Sequence, residues 1–238
     1  MQRAQLLNEM GAVESALALL KEQLNRVPED QSTLMTLGDI YRVHSRFTEA
    51  EAAYDRAVEN LTNEEANNWH LYFARGIARE RNGKWHLAEM DLQTARRLSG
   101  DAPLVLNYLG YSWIDRGVFL DEGLKIINQA LSKEPQNGAY VDSLGWAYFR
   151  LGEFKRALPI LERASRLEPT DPVVTSHLGD ALWRLGRHFE ARYQWRKALA
   201  FEPSDEERAA IEKKLLFGLG PVPKPKPEAR MPRGGTEI

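Results

Sequence analysis

The side chains that could carry out covalent or acid–base chemistry are few and poorly grouped. The five histidines are His44, His70, His86, His177 and His188. None stands four residues from another histidine or an acid in the way a metalloprotease helix requires. His188 and Glu190 are two residues apart, which points them to different faces of a helix. No serine sits in a G-x-S-x-G elbow. The Gly218-Leu219-Gly220 run leads into proline, not into a helix that could cradle phosphate. There is no cysteine, which excludes disulfides, thiolate metal sites and cysteine nucleophiles. The carboxylates are spread along the chain. No cofactor or metal is expected, and the reading is of a protein that is not an enzyme.

The chain is organised instead by the elements that would carry these residues. Asn137 to Pro169 contains two amphipathic segments joined at Leu151-Gly152-Glu153. Leu144, Gly145 and Tyr148 mark the first segment; Ala157, Leu161 and Ala164 mark the second. The same spacing returns 34 residues later as Leu178, Gly179, Leu182, Gly186, Ala191, Trp195, Ala198 and Pro203. Apolar residues three and four apart put one stripe on one helix face. Two such helices joined by a short turn lie antiparallel. Gly145 and Ala157 are expected where the helices come closest, and Gly152 suits a turn that needs positive φ. Pro169 stops the second helix. One helix pair cannot cover both its apolar faces, so the pairs must stack.

This pattern resembles the tetratricopeptide (TPR) repeat, whose period is 34 residues. The resemblance implies an all-α fold: a right-handed α-solenoid of about six TPR helix pairs. The units fall at about 1–30, 31–64, 69–102, 103–137, 138–171 and 172–205. The first begins late, which is expected of a segment of a longer protein. Asn63 to Asn68 make a longer connection. In unit 69–102, Arg75 and Arg79 take the places of Leu144 and Tyr148, so this is the most divergent repeat. The loop through Val118 and Phe119 carries an extra residue. Residues 204–217 read as a capping helix that opens on a Ser204/Glu207 capping box. Residues 218–238 form a Pro- and Gly-rich tail expected to be disordered or extended, so the solenoid is 1–217.

The totals exclude some functions. The 238 residues carry a formal net charge of −2, which gives no footing for nucleic acid. No apolar run reaches the length of about 20 needed to span a bilayer. The first residues carry Glu9 and Glu14 and read as helix, not as a leader.

TPR arrays usually bind through the face lined by the first helix of each repeat. Carried onto this chain, the resemblance implies a protein or peptide ligand on that concave face. The partner-binding candidates are Phe73, Arg81, Asn107, Tyr111, Asp142, Trp146, Phe149, Arg150, Asp180, Trp183 and Arg184. Tyr111 and Trp146 share the ninth position of their repeats, and Phe149 and Trp183 the twelfth. Arg81, Arg150 and Arg184 share the thirteenth. Aromatic anchors beside arginines are the residue types that dominate binding energy, and Trp146 and Arg150 are expected to anchor the partner. The other reading of Trp146 and Phe149 is as core residues packed on the neighbouring helix. The lysine and asparagine pattern of the TPR clamp for chaperone tails is absent, and so is the asparagine ladder of the sugar-transferase superhelix.

Residues 107–201 are also similar to the C-terminal repeats of proteobacterial envelope TPR proteins. Some of those are outer-membrane lipoproteins that act as adaptors for a carboxyl-terminal-processing protease. That similarity implies a soluble scaffold on the periplasmic side of a bacterial envelope, and otherwise the cytoplasm. Two alternatives stay open. One is a substrate-recruiting segment of a larger multidomain enzyme, such as a transferase. The other is self-association through the incomplete first repeat.

Overall fold

The structure is a computed structural model that describes residues 2–59, 61 and 68–221. The stretch expected to be a disordered tail falls outside the described residues from 222 onward, as does most of the Asn63–Asn68 connection. Among the described residues there are thirteen α-helices and no strand. The chain divides into two compact units, residues 1–105 and 106–238.

The first unit holds α1 (Gln2–Glu9), α2 (Val13–Arg26), α3 (Gln31–Val43), α4 (Phe47–Glu59), α5 (Trp69–Arg81) and α6 (Trp85–Ser99). The second opens in α7 (Pro103–Arg116) and continues through α8 (Leu120–Lys133), α9 (Gly138–Arg150), α10 (Phe154–Leu167), α11 (Pro172–Arg184) and α12 (His188–Leu199). It closes with α13 (Asp205–Phe217). Within each unit, consecutive helices pack as pairs, and each pair packs on the next.

Local sequence fixes where the helices start and turn. Asn137 and Asp171 cap α9 and α11 by accepting the backbone N–H of Tyr140 at 3.3 Å and of Val174 at 2.9 Å. Ser204 and Glu207 form the capping box of α13. Gly152 turns the chain between α9 and α10 at φ +80°. The α3–α4 turn uses Ser45 for the same conformation at φ +58°. In the longer α7–α8 loop Phe119 is left-handed as well, and its ring meets the edge of Trp113 at 5.5 Å.

The closest helix approach in these repeats is set by a glycine of the first helix. A Cβ on Gly145 would lie 2.6 Å from Leu161 Cδ2, and one on Gly179 would lie 2.6 Å from the Trp195 ring. Gly38 faces Tyr54 and Gly76 faces Leu92 in the same way, always sixteen residues on. The residue that closes on Gly145 is therefore Leu161, one turn beyond Ala157; Ala157 is itself fully buried.

The divergent repeat holds an ion network in place of apolar contacts. Arg75 grips both oxygens of Asp91, at 2.9 and 2.7 Å, and reaches Asp55 at 3.1 Å. Arg79 binds the same two carboxylates at 2.9 and 2.7 Å. Glu51 accepts from Asn82 at 2.8 Å and from Lys84 at 2.9 Å. The substitutions that look like divergence in the sequence supply one another's counter-charges across α4, α5 and α6.

Candidate interaction surface

In the first unit, the candidates Phe73 and Arg81 lie on α5. Phe73 is half-buried, with its ring 6.3 Å from that of Trp69. Arg81 is exposed and stands 5.4 Å over the ring of Phe47.

In the second unit, the first helices α7, α9 and α11 and the capping helix α13 bring the other candidates into two clusters. The first centres on Trp146, which is 9% exposed. Its ring stacks on His177 at 3.9 Å and 12°, and on Phe149 at 4.7 Å and 8°. Asp142 accepts from His177 Nδ1 at 2.8 Å in a buried pair, and the Tyr111 ring lies 6.5 Å from His177. Trp146 Nε1 donates to Asp115 Oδ1 at 3.3 Å. Arg150 donates to the same carboxylate at 3.2 Å and to the Asp115 carbonyl. Trp146, Phe149 and Arg150 are thus committed to contacts within the unit. Asn107 Oδ1 and Asp142 Oδ1 are buried and accept no hydrogen bond from a described residue.

The second cluster joins α11 to α13. Asp180 accepts from Trp195 Nε1 at 2.8 Å and from Lys214 at 2.8 Å; Lys214 also donates to Ser176 at 2.9 Å. Trp183 stacks on His188 at 4.1 Å, lies 5.2 Å from Trp195 and carries Arg192 over its ring at 5.5 Å. Arg184 differs from its counterpart one repeat earlier. Arg150 has Asp115, whereas Arg184 makes no hydrogen bond or ion pair among the described residues, and its Nε is buried. Burial lowers the pKa of its guanidinium, against a weaker opposing pull from Asp180.

His177, Asp115 and Lys214 belong to these clusters without being among the partner-binding candidates. A signal was present: each stands about one period from its partner, as in Asp142/His177, Asp115/Arg150 and Asp180/Lys214. The Asp142–His177 pair resembles the supporting half of a hydrolytic triad. His177, however, is 6% exposed, and its one hydrogen bond among the described residues goes to Asp142. Among those residues no three acids or histidines could hold a metal ion. No helix there is long and apolar enough to cross a membrane.

A tetratricopeptide repeat model matches residues 1–65 and 143–206, more than half of the chain. A TPR repeat-containing protein of Pseudomonas aeruginosa is 27% identical over 102 residues, which is 43% of this chain and 17% of that protein. The chain therefore spans a small part of that relative's length. Among solved structures, a thermophilic TPR protein of Thermus thermophilus superposes with a TM-score of 0.66 at 22% identity. The match covers 79% of this chain and 100% of that one. The Cut9–Hcn1 hetero-tetramer of the APC/C gives 0.70 at 19% identity, over 88% of this chain and 40% of that one. YrrB, described as a TPR protein with an unusual peptide-binding site, gives 0.53 at 15% identity over 82% and 97%.

Proposed function

The chain belongs to the tetratricopeptide repeat family, and on that premise we propose that it is a non-catalytic scaffold for protein–protein contacts. It holds an extended peptide or a partner helix against the first helices of its repeats. The observation that carries this reading is Arg184. A half-buried guanidinium whose buried Nε finds no acceptor among the described residues is a site completed by a partner's carbonyl or carboxylate. YrrB, by its description a peptide binder, supports the reading by analogy of fold.

The test compares pulldowns from bacterial envelope extract by the full chain and by its Arg184→Gln and Arg196→Gln variants. Arg196 is exposed on α12 and serves as the control. A partner held by the full chain and by Arg196→Gln, but weakened by about 1–3 kcal/mol in Arg184→Gln, supports the scaffold. Equal capture by all three removes Arg184 from the interface. The envelope setting rests on the similarity of residues 107–201, and fractionation of cells expressing the full gene checks it.

Self-association is the second reading, and it is supported by Leu6 and Met10, which stand 56% and 73% exposed at the end of the first unit. Sedimentation that stays monomeric with rising concentration would dismiss it.

A further inference from the structure

Between the first helices of its first two repeats, the first unit contains a cleft of about 320 Å³. From α1 it is lined by Gln5, Asn8 and Glu9, and from α3 by Asp39, Ile40 and Val43, among others. Ile40 and the exposed Val43 give it an apolar wall. The rest of the lining is amide, carboxylate and the Thr36 side chain.

Glu9 has no counter-charge among the described residues, and Asp39 has only a long ion pair, to Arg42 at 3.5 Å. Tyr54 donates its O–H to Asp39 Oδ1 at 2.7 Å. Burial and the neighbouring Asp39 charge push the Tyr54 phenol far up, so it remains a donor. Arg42 spends its Nε on the Tyr54 oxygen at 3.3 Å and reaches the same Oδ1 only at 3.5 Å. Asp39 Oδ2 receives no hydrogen bond from a described residue. Glu9 is exposed and makes no ion pair or side-chain hydrogen bond among them. On α1, Asn8 is tied to His44, with its Oδ1 2.8 Å from Nε2.

We propose that this cleft takes a lysine or arginine side chain of a protein partner. The aliphatic stem lies along Ile40 and Val43, and the cationic head is received by Glu9 and Asp39. A long side chain suits the volume, which is at the small end of ligand sites and admits no second helix. An acidic ligand would meet two carboxylates of its own sign. The proposal rests on the scaffold reading, because it names the chemistry of a segment laid across the first helices.

The experiment is panning of phage-displayed random dodecapeptides on the full chain in two arms. One arm is direct. The other is subtractive, with excess Glu9→Gln/Asp39→Asn variant in solution. Circular dichroism and melting establish that the double variant folds; should it fail, Glu9→Gln alone replaces it, since Glu9 has no partner to lose among the described residues. Subtractive panning is expected to yield peptides that share one Lys or Arg. Norleucine in place of that Lys, or citrulline in place of that Arg, should weaken a synthetic peptide about tenfold, and Glu9→Gln should weaken it about threefold. Peptides from the direct arm with none from the subtractive arm overturn the cleft and leave the scaffold standing. Subtractive peptides without a shared basic residue, or indifferent to the uncharged replacement, overturn it as well. No peptides in either arm overturn both readings.

Discussion

Asp142 of α9 and His177 of α11 stand 35 residues apart in sequence and meet in a buried hydrogen bond of 2.8 Å. The pair ties one repeat to the next, and the His177 ring then lies flat on Trp146 at 3.9 Å. Asp142→Ala should cost about 1–3 kcal/mol by leaving a buried imidazole N–H without its acceptor. The double variant with His177→Ala should cost less than the sum of the two singles. Urea melts of the four proteins measure this, and strict additivity would show that the two side chains are uncoupled.

Gly145 is pressed against Leu161. Adding a methyl group there forces either the Leu161 side chain or the helix axis to move, so Gly145→Ala should destabilise by about 1–3 kcal/mol. Leu161→Ala alone should cost about 2–5 kcal/mol. Together they should cost less than the sum, because the shorter side chain makes room for the new Cβ. A melting temperature unchanged by Gly145→Ala would mean that the approach is looser than the 2.6 Å contact implies.

The Arg75–Arg79–Asp91 network gives a prediction with two signs. Asp91→Ala leaves two largely buried guanidiniums to Asp55, with Arg79 also 3.4 Å from Glu51, and should cost about 3–5 kcal/mol. Arg75→Leu, Arg79→Tyr and Asp91→Ile together restore the residue types of Leu144, Tyr148 and Ile160. That triple variant should fall within about 1 kcal/mol of the parent or exceed it. A triple variant as unstable as Asp91→Ala would show that the ions do more than replace apolar packing.

Glu51 makes the stability of the same repeat depend on pH. Burial pushes its carboxyl up, but hydrogen bonds from Lys84 and Asn82, with the charges of Lys84 and Arg79, outweigh that and bring it below the ordinary glutamate value. Between the folded and unfolded values the unfolded chain binds more protons, so stability rises with pH there. The contribution is complete above the ordinary value of 4.5 and is lost as pH falls through the lower, folded value. Urea midpoints from about pH 7 to about pH 3 should fall less steeply for Glu51→Gln than for the parent.

Much of the fold was legible in the residues. The Gly152 turn, the Gly145 approach and the Ser204/Glu207 cap each follow from one residue's conformational or hydrogen-bonding needs, which are local. The surface was harder to read. Trp146 and Arg150 sit where a binding face would place them, yet both are spent on Asp115. Arg75 and Arg79 look like decay of the pattern and are the centre of a network. What a polar side chain on a first helix touches depends on the rotation and stagger of the next repeat, and the 34-residue period alone does not carry that information. Arg184 stands out only once its neighbours are known, because its distinction is the partner it lacks among the described residues.

The pairs Asp115/Arg150, Asp142/His177 and Asp180/Lys214 all cross from one repeat to the following repeat or cap. The helix pairs of this unit are therefore not exchangeable parts. A recombination that exchanged two of them would preserve every glycine and every apolar stripe. It would still leave a carboxylate without its base at one seam and a base without its carboxylate at the other. Such an array is inherited as a sentence with a fixed word order, and it drifts more readily by substitution inside a repeat than by reshuffling whole repeats.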